Sequence, residues 1–267
     1  MWNLDRAAAV PLWRPAPAGI SSVRAFTTRR GGVSEPPWES LDLGLSTGDR
    51  PEAVRENRRR VLASLGLDGG RLVTAGQVHG AAVRCVSEPG HQPGCDALMS
   101  LTPDLALAIS TADCMSLLFT APGAVAAAHA GWRGVLAGAP AAAFRALLSA
   151  GIPAGAVRVA LGPCIRVCCY EVGPEVARRF PSSLVSRVGP RLHLDLPAAA
   201  RLQLFEADLS PEAFEDTGAC TSCESEWYFS HRRDGGRTGR LWGIVALRTE
   251  GTQRSESAGE YSRPAAP

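Results

Sequence analysis

Two neighbouring stretches decide the fold: Ser110-Thr-Ala-Asp-Cys-Met-Ser-Leu-Leu-Phe119 and Val125-Ala-Ala-Ala-His-Ala-Gly-Trp-Arg-Gly134. Residues 105–119 are apolar and suited to a strand, Ala121-Pro-Gly123 reads as a turn, and residues 124–129 are a second apolar run. Together they predict a β-hairpin. If the turn closes at Pro122-Gly123, position 116 faces 129 and position 114 faces 131. Side chains alternate faces along a strand, so Cys114 and His129 then share a face as diagonal neighbours, with Cα atoms about 7–8 Å apart. A sulfur and an imidazole can meet, or share a metal, across that distance. A slip of one residue would put them on opposite faces.

Working outward, the chain of 267 residues is long enough to bury a sizeable core. No internal repeat or domain linker interrupts it. Residues 1–22 are Pro- and Ala-rich and read as an irregular lead-in, residues 23–248 as a single domain, and residues 249–267 as a polar, disordered tail. All 28 basic residues are Arg, which excludes Schiff-base and lysine-base chemistry. The net charge is +2 and the cations are scattered among acids, so there is no footprint for nucleic acid. The start lacks a basic and then apolar leader, and no apolar run is long enough to span a membrane, so a cytoplasmic protein is expected. In that compartment the eight Cys should be reduced, with metal or catalytic roles ahead of disulfides.

In chain order, residues 23–28 read as a strand ending in the cationic turn Arg29-Arg-Gly-Gly-Val33. Asp49 and Glu52 have the spacing of a capping box. The helix they open carries an apolar stripe of Val54, Val61, Leu62 and Leu65, a wet face of Arg55, Arg58, Arg59 and Arg60, and a stop at Gly66. Residues 72–86 read as one or two strands containing Gln77-Val-His-Gly80, residues 88–94 as a loop, and residues 96–100 as a strand. Taken alone, His79 reads as a structural histidine in a strand. Beyond the hairpin, a single Ala-rich helix is expected to end near Ala150, with Arg133 at its anion-friendly N-terminus. A strand follows at 157–161, helices at 174–180 and 196–207, and a last strand at 241–248. Cys220-Thr-Ser-Cys223 is a CxxC without a second pair at zinc-finger spacing. Cys164, Cys168 and Cys169 read as core or loop thiols.

Two chemistries compete for Cys114 and His129. In one, His129 deprotonates Cys114 for nucleophilic attack, as in cysteine hydrolases. In the other, His79, Cys114 and His129 hold one zinc, with a fourth position open to water or substrate. The two exclude each other, because a thiolate on zinc is not free to attack. A third reading leaves Cys114 a buried core thiol.

A set of motifs bears on the choice. They are Phe26-Thr-Thr-Arg-Arg-Gly-Gly-Val-Ser34, Ser40-Leu-Asp-Leu-Gly44, Gly48-Asp49, Asn57-Arg58, Gln77-Val-His-Gly80, Thr111-Ala-Asp-Cys114, His129-Ala-Gly-Trp-Arg-Gly134, Gly162-Pro-Cys-Ile165, Tyr170-Glu-Val-Gly173, Phe229-Ser-His-Arg-Arg-Asp234 and Thr238-Gly-Arg240. In this order the chain resembles the YfiH or laccase-domain family, also described as multicopper polyphenol oxidases or purine nucleoside phosphorylases. The resemblance implies an α+β fold of mixed β-sheets with flanking helices, a YfiH-like cysteine hydrolase fold. There the Cys114–His129 pair is compared with that of bacterial deamidating toxins.

The resemblance also implies that His79, Cys114 and His129 are both the metal ligands and the catalytic residues. Zinc is the expected metal, with copper the second choice. The implied reactions are phosphorolysis of adenosine, inosine, guanosine and methylthioadenosine, and deamination of adenosine. The implied partners are purine nucleosides and inorganic phosphate, with a monomer favoured. Given that activity, Arg29 and Arg133 are candidate phosphate clamps and Arg233 a third, since a guanidinium matches phosphate with two prongs. A cysteine hydrolase or deamidase, a polyphenol oxidase and a non-enzymatic zinc protein stay as alternatives. Five His are too few for the usual multicopper cluster. The chain departs from the family pattern at Ser116, where Pro is usual, and at Asp42, where Asn is usual; the pairs 168–169 and 220–223 are also unusual.

Overall fold

The computed structural model describes residues 1–15 and 22–248. Strands Met115–Ala121 and Ala124–Ala130 form the expected hairpin, with Ser116 opposite His129 and Met115 opposite Ala130. Gly123 turns it at φ +73°, a conformation open to glycine. Every residue of both strands is buried, because the hairpin lies in the middle of a sheet covered on both faces.

Among the described residues, that sheet has six strands in the order Phe214–Asp216, Arg158–Leu161, Met115–Ala121, Ala124–Ala130, Ala97–Ser100 and Val83–Cys85. The central pairings are antiparallel and the two outermost are parallel. A second sheet of seven strands runs Trp2–Leu4, Leu12–Pro15, Ser22–Thr27, Leu241–Leu247, Ala106–Thr111, Leu72–Ala75 and Gly90–Gln92. A small antiparallel sheet combines Glu171–Val172, Arg191–Leu194 and Val185–Val188.

Strand alternation builds the layers. Leu117, Phe119, Ala126 and Ala128 pack with Phe144, Leu147 and Leu204 of helices Ala139–Ser149 and Leu196–Glu206. The intervening Leu118, Val125 and Ala127 meet Phe26, Leu107, Ile109 and Val245 of the seven-stranded sheet. On that sheet's far face, Leu12, Ala108, Trp242 and Ile244 pack on Val61 and Leu62 of helix Pro51–Ser64. The result is an α+β stack of mixed sheets between flanking helices, as the resemblance implied.

Several expectations need correction. Residues 1–22 contain two strands, Trp2–Leu4 and Leu12–Pro15, which extend the second sheet. The apolar run 105–119 is divided: Ala106–Thr111 joins one sheet and Met115–Ala121 the other, and Asp113 at φ +85° lies in the crossover. The Ala-rich helix breaks into Trp132–Ala137 and Ala139–Ser149 at left-handed Gly138. Part of the expected loop 88–94 is an edge strand, Gly90–Gln92, paired parallel to Leu72–Ala75.

Helix boundaries and faces also shift. The helix expected at 174–180 is only Pro174–Ala177. Asp49 does not cap helix Pro51–Ser64; its carboxylate accepts from Ser34 Oγ at 2.5 Å and the Arg50 amide at 2.7 Å. The wet face loses two members, since Arg58 donates to the Leu43 carbonyl over the Trp242 ring and Arg60 to the Gly31 carbonyl. The expected tail 249–267 lies outside the described residues. Among the described residues, no helix is long and apolar enough to cross a membrane.

Candidate functional site

The crossover between the sheets ends at Cys114, one residue before its strand, and His129 is the penultimate residue of the strand opposite. His79 reaches them from a loop, not from a strand as expected. Gln77 and His79 both take left-handed backbone, at φ +53° and +62°, which no strand accommodates. Two anchors hold this loop. The Gln77 carboxamide pairs with both backbone groups of Ser110, at 2.7 and 2.9 Å. The Asp96 carboxylate accepts from the amides of Val78, His79 and Gly80 at 3.2, 2.9 and 2.7 Å.

The ligating atoms of His79, Cys114 and His129 all lie within 4.8 Å of one another, with His79 exposed and His129 buried. The two imidazoles meet edge-on, centroids 4.9 Å apart. Asp96 also binds His129 Nδ1 at 2.9 Å, which leaves Nε2 as the free ring nitrogen. Gly131 lines the same space: a Cβ there would stand 2.9 Å from Cys114 Sγ and 3.4 Å from His79 Cδ2.

Electrostatics polarise the group. Burial alone would raise the Cys114 pKa, but hydrogen bonds and charge from His129 and His79 outweigh it and pull the thiol down from its usual range. Burial alone would lower the His129 pKa, but Asp96 and Cys114 push it up. Burial also works against Asp96, yet the hydrogen bonds from His129 and from the Gly80 and His79 amides hold its carboxyl below the ordinary value. The site therefore favours a thiolate beside an imidazolium backed by a carboxylate.

A divalent metal fits this donor set. Thiolate and imidazole are zinc ligands, a carboxylate behind His129 Nδ1 is the usual second partner, and three ligands leave one position open. The space that Gly131 leaves beside Cys114 and His79 is consistent with an ion there.

The three candidate arginines are placed differently. Arg133 is exposed and stacks on the Trp132 ring at 4.4 Å, two residues beyond Gly131. The helix it opens has only six residues. Arg29 donates to the carbonyls of Glu39 and Ser225 and lies over Phe229. Arg233 spends its guanidinium on Asp234 and on the carbonyls of Thr221 and Tyr228. The structure thus uses Arg29 and Arg233 to bind loops, while Arg133 stacks on its neighbour Trp132.

Asp96, Tyr170 and Arg232 were not singled out from sequence. Asp96 announces itself only as an acid ahead of the apolar run 97–100. Burial, and then the charge of Cys114, push the Tyr170 phenol up to about 12, and Arg232 stacks over its ring at 5.4 Å. Arg232 also lines a surface depression of about 360 Å³ together with Glu171, Pro174 and Arg191. Asp113 holds loops together, since its carboxylate accepts from Thr221 Oγ1 and the Arg232 amide, each at 2.6 Å.

A family model for the multi-copper polyphenol oxidoreductase laccase matches residues 23–248. The chain belongs to this family. A Deinococcus radiodurans protein named purine nucleoside phosphorylase is 40% identical over 253 residues, covering 92% of this chain and 96% of the relative. Purine nucleoside phosphorylase YlmD of Geobacillus stearothermophilus is 36% identical and covers 89% and 94%. The crystal structure of YlmD from that organism matches with a TM-score of 0.87 at 34% identity, over 92% of this chain and 99% of that one. The hypothetical protein YfiH of Bacillus licheniformis has the same TM-score at 30% identity and the same coverage.

The family description speaks of several coppers, and the donors here do not gather for that. Only His79 and His129 of the five histidines converge; His91 pairs with Thr74, His193 with the Val167 carbonyl, and His231 lies beside Gly236. Among the described residues, the other group able to hold a metal is made of thiols. Cys168, Cys169, Cys220 and Cys223, read from sequence as unpartnered, come together.

Proposed function

We propose that the chain is a zinc-dependent purine nucleoside phosphorylase for adenosine, inosine, guanosine and methylthioadenosine that also deaminates adenosine. The observation that carries this reading is the convergence of His79, Cys114 and His129 over the buried Asp96. The names of the relatives at 36–40% identity supply the substrate class.

In phosphorolysis a phosphate oxygen bonds to the ribose C1′ as the bond from C1′ to the purine nitrogen breaks. The bonding electrons leave with the base, which then takes a proton. Positive charge builds on the ribose, so an anion held against it lowers the barrier. We assign the phosphate to Arg133, because its guanidinium is exposed, is braced by Trp132 and follows by two residues Gly131, which abuts Cys114 and His79. Arg232 stacks on Tyr170 and donates to the Glu171 carbonyl. Tyr170 keeps its proton at neutral pH and is available as a donor to the base. Asp96 fixes the His129 ring so that Nε2 faces the site. His79, Cys114 and His129 would hold the ion, which when bound supplies a Lewis acid with one open position.

A second reading is favoured by one observation. Asp96, His129 and Cys114 also form an orienter–base–nucleophile series, as a cysteine hydrolase or deamidase needs. Chelation separates the two, since a cysteine hydrolase keeps its activity without metal.

The test is a chromatographic product assay on adenosine with and without inorganic phosphate. Adenine and ribose 1-phosphate formed only with phosphate support the phosphorylase, and inosine formed in either case supports the deaminase. If neither product forms, the purine reading fails.

A further inference from the structure

Two loops some fifty residues apart in sequence leave the six-stranded sheet side by side. One follows strand Arg158–Leu161 and the other follows Phe214–Asp216, its parallel neighbour. Their exits are fastened together. The Arg166 guanidinium binds both oxygens of Asp216, at 2.7 and 2.5 Å, and its Nε donates to the Ala219 carbonyl at 3.1 Å. The Thr221 amide donates to the Cys164 carbonyl at 3.1 Å. This pairing faces Cys168 and Cys169 with Cys220 and Cys223.

The Cys223 sulfur lies 3.5 Å from that of Cys168 and 3.2 Å from that of Cys169, and the Cys168 and Cys220 sulfurs are 3.6 Å apart. All four fall within 4.8 Å of one another. A zinc ion with four Zn–S bonds of about 2.3 Å sets its sulfurs roughly 3.8 Å apart, close to this spacing. A disulfide would need about 2.05 Å.

We propose that Cys168, Cys169, Cys220 and Cys223 bind a second metal ion, a structural zinc in a closed four-thiolate site distinct from the His79–Cys114–His129 centre. Each thiol loses its proton as its sulfur bonds to the metal, so loading releases four protons per ion. No oxidant takes part, and four sulfurs leave no open position for substrate. The site acts by position. Thr221 lies inside the CxxC loop, and its hydroxyl holds the carboxylate of Asp113, the residue before Cys114. A metal that fixes this loop fixes the crossover that delivers Cys114.

The inference does not rest on the proposed activity, because its test reads thiols and metal. Cys85, Cys168 and Cys223 are all exposed, and Cys85 lies outside the cluster. The full-length native protein, loaded with zinc, is treated with iodoacetamide and mapped by peptide mass. Cys85 is expected to alkylate promptly, and Cys168 and Cys223 roughly 10-fold more slowly until a chelator is added. The Cys168→Ser/Cys223→Ser protein is expected to carry one zinc fewer than the wild type by elemental analysis. The proposal is overturned if Cys168 and Cys223 react as fast as Cys85 in the zinc-loaded protein. It is equally overturned if the intact native mass shows disulfides and no metal on these thiols. The alkylation result stands even if the double variant fails to fold.

Discussion

Asp96 is fully buried and accepts four hydrogen bonds, three from the loop that carries His79 and one from His129. One carboxylate therefore sets the backbone of one site residue and the ring of another. Asp96→Asn keeps the size and loses the charge. It is expected to weaken the binding of added zinc by about 10- to 100-fold, measured by competition with a chromogenic chelator. Gly131→Ala tests the space beside Cys114 and His79. The backbone there suits any residue, so the fault is steric: the new methyl would press on Cys114 Sγ. Turnover and metal content should fall together while the melting temperature stays near that of the wild type. At this scale the sequence was informative where covalent geometry spoke for it. Strand alternation with a turn closing at Pro122-Gly123 pairs position 116 with His129, and the observed register agrees, although Cys114 itself lies in the crossover one residue before the strand. His79 reads from sequence both as a strand histidine and as a possible zinc ligand, because a loop held by a distant carboxylate leaves no periodic trace that would decide between them. Arg233 looked like an anion clamp because its neighbour Asp234, which absorbs its charge, counts in sequence only as another loop acid.

Among the elements, the hairpin could be read because a turn separates two apolar runs of suitable length. The crossover at 112–114 could not. Strands Ala106–Thr111 and Met115–Ala121 are both almost wholly buried, so no polar alternation marks where one sheet ends and the other begins. The cysteine loops were hidden for a related reason, since parallel pairing of Arg158–Leu161 with Phe214–Asp216 is what joins them. The loop at 228–240, which carries Arg232, Arg233, Arg237 and Arg240, has a pH signature. Burial works against ionisation of Asp234, but hydrogen bonds from Arg233, Thr238 and the Ser230 amide outweigh it and hold its carboxyl below the ordinary range. A carboxyl with a lowered folded-state pKa stabilises the fold above its unfolded pKa, and that contribution fades as pH falls through the folded value. Asp234→Asn should therefore melt below the wild type at pH 7. The gap between their melting curves should narrow as the buffer is taken into the acid range below the usual carboxylate pKa.

For the whole molecule, the site lies where the two large sheets meet, and glycines set how closely they approach. A Cβ on Gly243 of the seven-stranded sheet would stand 2.8 Å from the Ser116 side chain, and one on Gly162 would collide with both Phe26 and Ser116. Ser116 is the register partner of His129, so sheet spacing and site geometry are coupled. Gly243→Ala is expected to cost about 1–3 kcal/mol in denaturant unfolding through overpacking. It should also lower turnover, although it lies outside the trio. Retained activity in a destabilised Gly243→Ala protein would uncouple the two.

Chemistry at His79, Cys114 and His129 should not survive loss of the thiol. The most direct test is phosphate-dependent cleavage of adenosine by the Cys114→Ala protein, measured beside the wild type on samples with matching thermal melts. A folded protein whose turnover falls on the order of 100-fold or more is expected. A folded Cys114→Ala protein that releases adenine at the wild-type rate would contradict it.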